Sequence, residues 1–232
     1  MGTTTTSSET LTVSSSEEIA TAVKSLISKG GGTLYLTAGG GPYKVALAAI
    51  GRADAPVTIT AADPENPPVI FETNIHTSRN ITLDGLRFET LPDGDSKDIR
   101  IVASQDITVS NSVMQGRADG FYTGPGGSAT LGRDLFFIRD SGDVSVFGNT
   151  IEGYFHAFGV LDSVGLEIRD NDISGIQGDG LRGGGIRNSV ISGNYMHDFY
   201  GTPQSVNHQD MIQLWGSFAK SANRNVTISG NV

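Results

Sequence analysis

From residue 80 onward the chain repeats itself, and a repeat of this length decides the architecture before any single motif does. The segments NITLDGLRF (80–88), DITVSNSVM (106–114), DVSVFGNTI (143–151), LEIRDNDI (166–173), SVISGNYM (189–196) and NVTISGNV (225–232) share one pattern. Apolar residues alternate with polar ones, a polar pair follows, then a turn-like residue and one more apolar position. Alternation with a period of two marks a strand, and Asn at the bend reads as the residue that tolerates a left-handed backbone. The bend position holds Leu86, Ser112, Asn149, Asn171, Asn194 and Asn231, in steps of 26, 37, 22, 23 and 37 residues. The two short steps are the chain length that winds once round a parallel β-helix, and the longer ones are that coil plus insertions.

The stretch before the repeats reads as the start of the same solenoid. SSEEIATAVKSLISKGG places Ile19, Ala20, Val23, Leu26 and Ile27 on one helical face, with Ser16 as the expected N-cap and Gly30 beyond the end. TLYL and APVTITA then read as the first strands. An open solenoid end exposes unpaired backbone and apolar core, so an amphipathic helix is expected to plug the first coil. The expected fold class is therefore all-β, a parallel β-helix with an N-terminal capping α-helix. Residues 1–15 are expected to be disordered or loosely attached and 16–232 to form one domain. The 31 glycines and the 7% aromatic content suit short strands and tight turns. The last coil, ISGNV, is unfinished, which raises the expectation that it continues elsewhere or that two copies stack end to end as a homodimer.

A net charge of -9 argues against non-specific nucleic-acid binding and against anionic membrane surfaces. No apolar run approaches the roughly 18 residues of a membrane span, and MGTTTTSSET lacks the basic and apolar regions of a signal peptide. Without cysteine, neither disulfides nor thiolate metal sites exist.

The helix followed by GGGTLYL, then PVTITAADPENPPVIF and the NITLDGLRF-type coils, resembles the right-handed parallel β-helix proteins of the pectate lyase superfamily. PVTITA is similar to a segment of chondroitinase B and alginate lyases, GGGTLYL resembles the start of alginate C5-epimerases, and NHQDMIQLWG is similar to a segment of secreted bacterial β-helix proteins. The resemblance implies an extracellular or cell-surface location and an acidic polysaccharide such as alginate as the partner. It departs from the family in two places. The tyrosine-aspartate-proline-histidine segment of the epimerases is missing, and Lys24, Lys29, Lys44, Lys97 and Lys220 all fall outside the candidate column described next.

Registering the coils on the bend position aligns DGF (119–121), HAF (156–158), DGL (179–181) and, past an insertion, DMI (210–212). Neighbouring parallel strands lie about 4.8 Å apart, close to one sugar residue per coil. Asp119, His156, Asp179 and Asp210 are thus expected in one column, with Tyr122, Gly159, Arg182 and Gln213 beside it. VNHQDMIQLWG gathers His208, Gln209, Asp210, Gln213 and the only tryptophan, Trp215, at the same corner. Polar groups beside an aromatic suit a sugar, which needs hydrogen bonds and a ring to stack on. The same residues have plainer readings: Asp-Gly as a turn, His208 as a solvated loop residue, Trp215 as a cover over core.

Lyases and epimerases of uronates both begin by removing the C5 proton while positive charge meets the developing carboxylate dianion. His208 or His156 are the candidate bases, Arg182 or Arg187 the candidate neutralisers, and Tyr200 or Tyr122 the candidate proton donors. His197 is a weaker candidate because it follows directly on a strand. Asp179 and Asp210 are candidate ligands for Ca2+, since hard cations want several oxygens. The same two carboxylates could instead serve a glycoside hydrolase, and the same face could bind glycan without turnover. GDGLRGGG (178–185) is read as a glycine-rich coil corner rather than a phosphate loop.

Overall fold

The computed structural model describes residues 9–90, 97–116, 134–200, 209–216 and 219–232. Among these, the strands form one sheet of nine and one of twelve, and every strand pairing within them is parallel. The nine-stranded sheet stacks Glu9–Val13, Gly32–Leu36, Val57–Ala61, Arg79–Asp84, Gln105–Ser110, Gly142–Phe147, Glu167–Arg169, Arg187–Ser192 and Arg224–Ser229 in chain order. The other sheet divides at Val69–His76. Its Val69 and Ile70 pair with the short strand Arg87–Glu89, and Thr73 to His76 pair with Lys97–Val102. Two further faces follow, one of three-residue strands and one of longer strands. The chain is a parallel β-helix.

The alternation seen in the sequence is what builds the core. Leu34, Ile59, Leu83, Val109, Val146, Ile168 and Ile191 stand in register on successive coils, each at most 1% exposed. Fully burying one such side chain contributes about 1.5–3 kcal/mol, and a one-residue slip would turn the whole row to solvent. This is why register, and with it the position of every surface side chain, is fixed.

The helix spans Ser16–Ser28 and buries Ile19, Ala22, Val23, Leu26 and Ile27 against the first strands, with Ala20 only half-buried. Its N-cap is Ser15 rather than Ser16. Glu18 Oε2 accepts the backbone N–H of Ser14 and of Ser15, while Ser16 Oγ accepts the N–H of Lys44. Gly30 follows the end at φ 98°. Residues 9–13, expected to be loosely attached, instead form a strand in register with Gly32–Leu36, because Leu11 and Val13 continue the inward alternation. No helix among the described residues is long and apolar enough to cross a membrane.

The bend asparagines do a different job from the expected one. Left-handed backbone falls one position earlier, at Asn111, Gly148, Asp170, Gly193 and Gly230. Asn149, Asn171 and Asn194 are each 1% exposed and form a buried ladder. Asn171 Oδ1 accepts the N–H of Asn149 at 3.1 Å, and its own N–H donates to Asn194 Oδ1 at 3.2 Å. Ser112 and Asn231 continue the column, and Ser78, Ser104, Ser141 and Ser163 build a second ladder at another corner. Side chains here satisfy backbone donors that turn away from the sheets.

Candidate functional site

The face of longer strands runs Val69–His76, Lys97–Val102, Asp134–Arg139, His156–Leu161, Leu181–Gly184 and Ile212–Leu214. Gly159, Arg182 and Gln213 are register neighbours, as the spacing predicts, and the same row continues to Phe137, Arg100 and Asn74. Tyr122 lies outside the described residues.

The polar column also forms. Phe158 opposite Leu181, and Leu181 opposite Ile212, place His156, Asp179 and Asp210 on successive coils. Asp119 lies outside the described residues, and the place next to His156 belongs to Asp134. Counting back one 22-residue coil from His156 reaches Asp134, so the extra chain of that coil precedes it. Asp134 carries no motif of its own, and only the coil length could have found it.

His156 is the centre of the cluster. Its Nδ1 lies 2.6 Å from Asp134 Oδ1 and its Nε2 lies 2.9 Å from Arg182 Nη1. A guanidinium can only donate, so Nε2 accepts and the imidazole is neutral, with its proton on Nδ1 given to Asp134. Asp179 Oδ2 stands 3.6 Å from Nε2 and 3.8 Å from Arg182 Nη1, on a side chain only 5% exposed. The repulsion of stacked carboxylates is thus offset by the Arg182 guanidinium, with the neutral imidazole set between Asp134 and Asp179. Arg182 also places its Cζ 4.9 Å over the Trp215 ring. Trp215 Nε1 is buried and has no acceptor among the described residues.

Glycine spacing makes this closeness possible. A Cβ on Gly178 would fall 2.7 Å from His156 Nε2, one on Gly180 2.7 Å from the Met211 carbonyl, and one on Gly184 2.6 Å from the Trp215 carbonyl. GDGLRGGG is a corner where three coils meet backbone to side chain.

The other candidates divide. Asp210 accepts from Gln213 Nε2 at 3.0 Å, its N–H donates to Asp179 Oδ1 at 3.1 Å, and Gln209 Nε2 donates to the Gln177 carbonyl. Tyr200 is exposed, and its N–H donates to the Ile176 carbonyl, two residues before Gly178. Arg187 is not brought to the cluster. It begins the next strand of the nine-stranded sheet and lines a cavity of about 350 Å3 at the corner, with Asp140, Asp143 and Asp162. His197 belongs to the face of short strands, between Asp172 and Asp198. His208 lies outside the described residues.

Asp179 and Asp210 do not form an open oxygen site. Asp179 Oδ1 and Asp210 Oδ2 each accept an N–H, and Asp179 Oδ2 faces His156 and Arg182. No group of three or more His, Asp or Glu among the described residues is placed to hold a metal ion. Calcium takes about six to eight oxygens, more than Asp179 and Asp210 supply by themselves.

Solved structures place the fold among known ones. The chain is similar to an alginate lyase from a Paenibacillus strain, with 14% identity, a TM-score of 0.52, and coverage of 95% of this chain and 97% of that one. It is similar to a pectate lyase from a Bacillus, solved in complex with trigalacturonate, with 10% identity, a TM-score of 0.57, and coverage of 98% and 82%. It is also similar to PfbA, a surface adhesin of Streptococcus pneumoniae, with 14% identity, a TM-score of 0.61, and coverage of 96% and 72%. No protein-family model and no curated protein sequence matches the chain. At these identities the likeness shows a shared parallel β-helix fold.

Proposed function

We propose that the face of longer strands binds an acidic polysaccharide and removes the C5 proton of a uronate, as a lyase or a C5-epimerase does. The observation that carries this is the line Asp134, His156, Arg182, with contacts of 2.6 and 2.9 Å. A neutral imidazole oriented by a carboxylate has its basic nitrogen beside a guanidinium, the two groups that enolisation next to a carboxylate requires. Fold likeness to lyases of alginate and of pectate, both polyuronates, supports the substrate class. The reading includes the right-handed winding that parallel crossovers take almost without exception, and export to the cell exterior.

The C5–H bond breaks, the proton passes to His156 Nε2, and the electron pair moves onto C5–C6 to give a dianion facing Arg182. In a lyase the pair then forms C4=C5, the C4–O4 bond breaks, and O4 leaves with a proton. In an epimerase C5 regains a proton on its other face. Tyr200 and Tyr122 are the proposed donors. Gln213 and Trp215 line the sugar site beside Arg182.

A second reading, a glycan-binding module without turnover, is favoured by one feature: the lone pair of Nε2 is covered by Arg182. Incubation with alginate, pectate and glycosaminoglycans separates the two. New ultraviolet absorbance from an unsaturated uronate, or a change in C5 configuration by NMR, lost in His156→Gln, supports proton abstraction. New reducing ends without either signal would make the protein a hydrolase, and binding without change would make it a module.

A further inference from the structure

The proton-accepting atom of this site is closed over. His156 Nε2 accepts from Arg182, the backbone of Gly178 lies against the same edge of the ring, and the imidazole is 7% exposed. Arg182 is the outer of the two, 38% exposed. Among the described residues its nearest carboxylate oxygen, on Asp179, is 3.8 Å away, beyond hydrogen-bond length. Among those residues the guanidinium therefore spends an N–H on a neutral ring nitrogen and lacks the paired two-oxygen fork that carboxylates give arginine.

We infer that Arg182 is a latch on His156 that a substrate carboxylate releases. A sugar carboxylate on this face offers the fork that Asp179 does not, and draws the guanidinium off the imidazole. Nε2 is then bare next to the carbon that bears the carboxylate, which is C5. A neutral sugar has no group that binds the open arrangement better than the closed one, so it leaves the latch shut. Selection for uronates thus works through the availability of the base as well as through affinity. The inference rests on the proposed reading of this face as a site for uronates.

The test reads the nitrogen directly. Protein labelled with 15N-histidine is followed by long-range proton–nitrogen NMR, with the His156 signals assigned by their loss in His156→Gln. Trigalacturonate, trimannuronate and triguluronate are compared with maltotriose at equal ionic strength, and turnover is measured on the same samples. At least one acidic trimer is expected to move the Nε2 signal toward that of an imidazole nitrogen without a hydrogen bond, and maltotriose is not. Arg182→Met is expected to place it there without any sugar, with unchanged His76 and His197 signals reporting an intact fold. An Nε2 signal that no acidic trimer moves, or that maltotriose moves as far, overturns the latch. A moved signal without turnover supports the latch and sinks proton abstraction. Turnover with an unmoved signal does the reverse.

Discussion

Asp134 and His156 are joined across one coil boundary by a 2.6 Å contact between Oδ1 and Nδ1, so a carboxylate fixes which imidazole nitrogen carries the proton. Removing the base should cost the most. His156→Gln is expected to lower turnover of a polyuronate by about 10²–10⁴-fold. Asp134→Asn leaves the ring in place but offers an amide that can present its N–H to Nδ1, and the loss expected is about 10²-fold, mainly in kcat. Equal activity in both variants and the wild type would remove His156 from the chemistry.

Gly178 is expected to tolerate no side chain. Its Cβ would stand 2.7 Å from His156 Nε2 and 2.8 Å from Cδ2. Gly178→Ala should therefore push the imidazole off Asp134 or Arg182, destabilising the fold by about 1–3 kcal/mol and lowering kcat. Thermal unfolding with steady-state kinetics checks both, and an unaltered kcat would mean that the imidazole position is not critical.

The buried asparagine ladder makes a stability prediction far from the site. Asn171→Ala removes the acceptor for Asn149 N–H and Nδ2–H and the donor to the Val146 carbonyl. Leaving these buried groups unpaired is expected to cost about 2–4 kcal/mol, read from the urea midpoint at constant m-value. A loss under about 0.5 kcal/mol, the range of ordinary surface changes, would show that the ladder is not satisfying the backbone.

Much of this arrangement is legible in the sequence, for one physical reason. In a parallel solenoid, coil length sets register, and register sets which side chains share a row. Steps of 22 and 23 residues are enough to bring His156 beside Asp179, and Gly159 beside Arg182. Insertions defeat the same arithmetic: Asp134 lies after extra chain, and Asp119 stands in its place when the insertion is put on the wrong side of the strand. Arg187 fails differently. It is five residues from Arg182, but the chain turns a corner at Gly185 and enters the other sheet. The asparagines were visible as a column, yet their role needed the inward direction of their side chains, which pattern alone does not give.

His197 gives a pH-dependent prediction. Hydrogen bonds that the ring donates to Asp198 first and Asp172 second, at 2.8 and 2.9 Å, raise its pKa above the ordinary value of about 6.5. Because the folded value is the higher one, protonated His197 adds stability that is complete below the ordinary value. That stability is lost as pH rises through the folded one. NMR titration should show a downward shift in both Asp198→Asn and Asp172→Asn. Added salt should weaken both effects, since the two carboxylates are exposed. An unshifted His197 in wild type would contradict the bridging geometry.

The most direct measurement compares C5-deuterated with ordinary oligouronates under kcat/KM conditions. A primary isotope effect in the wild-type protein, with turnover of both substrates lost in His156→Gln, is the predicted result. Consumption of the two oligomers at one rate with bond cleavage elsewhere in the sugar, or undiminished turnover by His156→Gln, would contradict it.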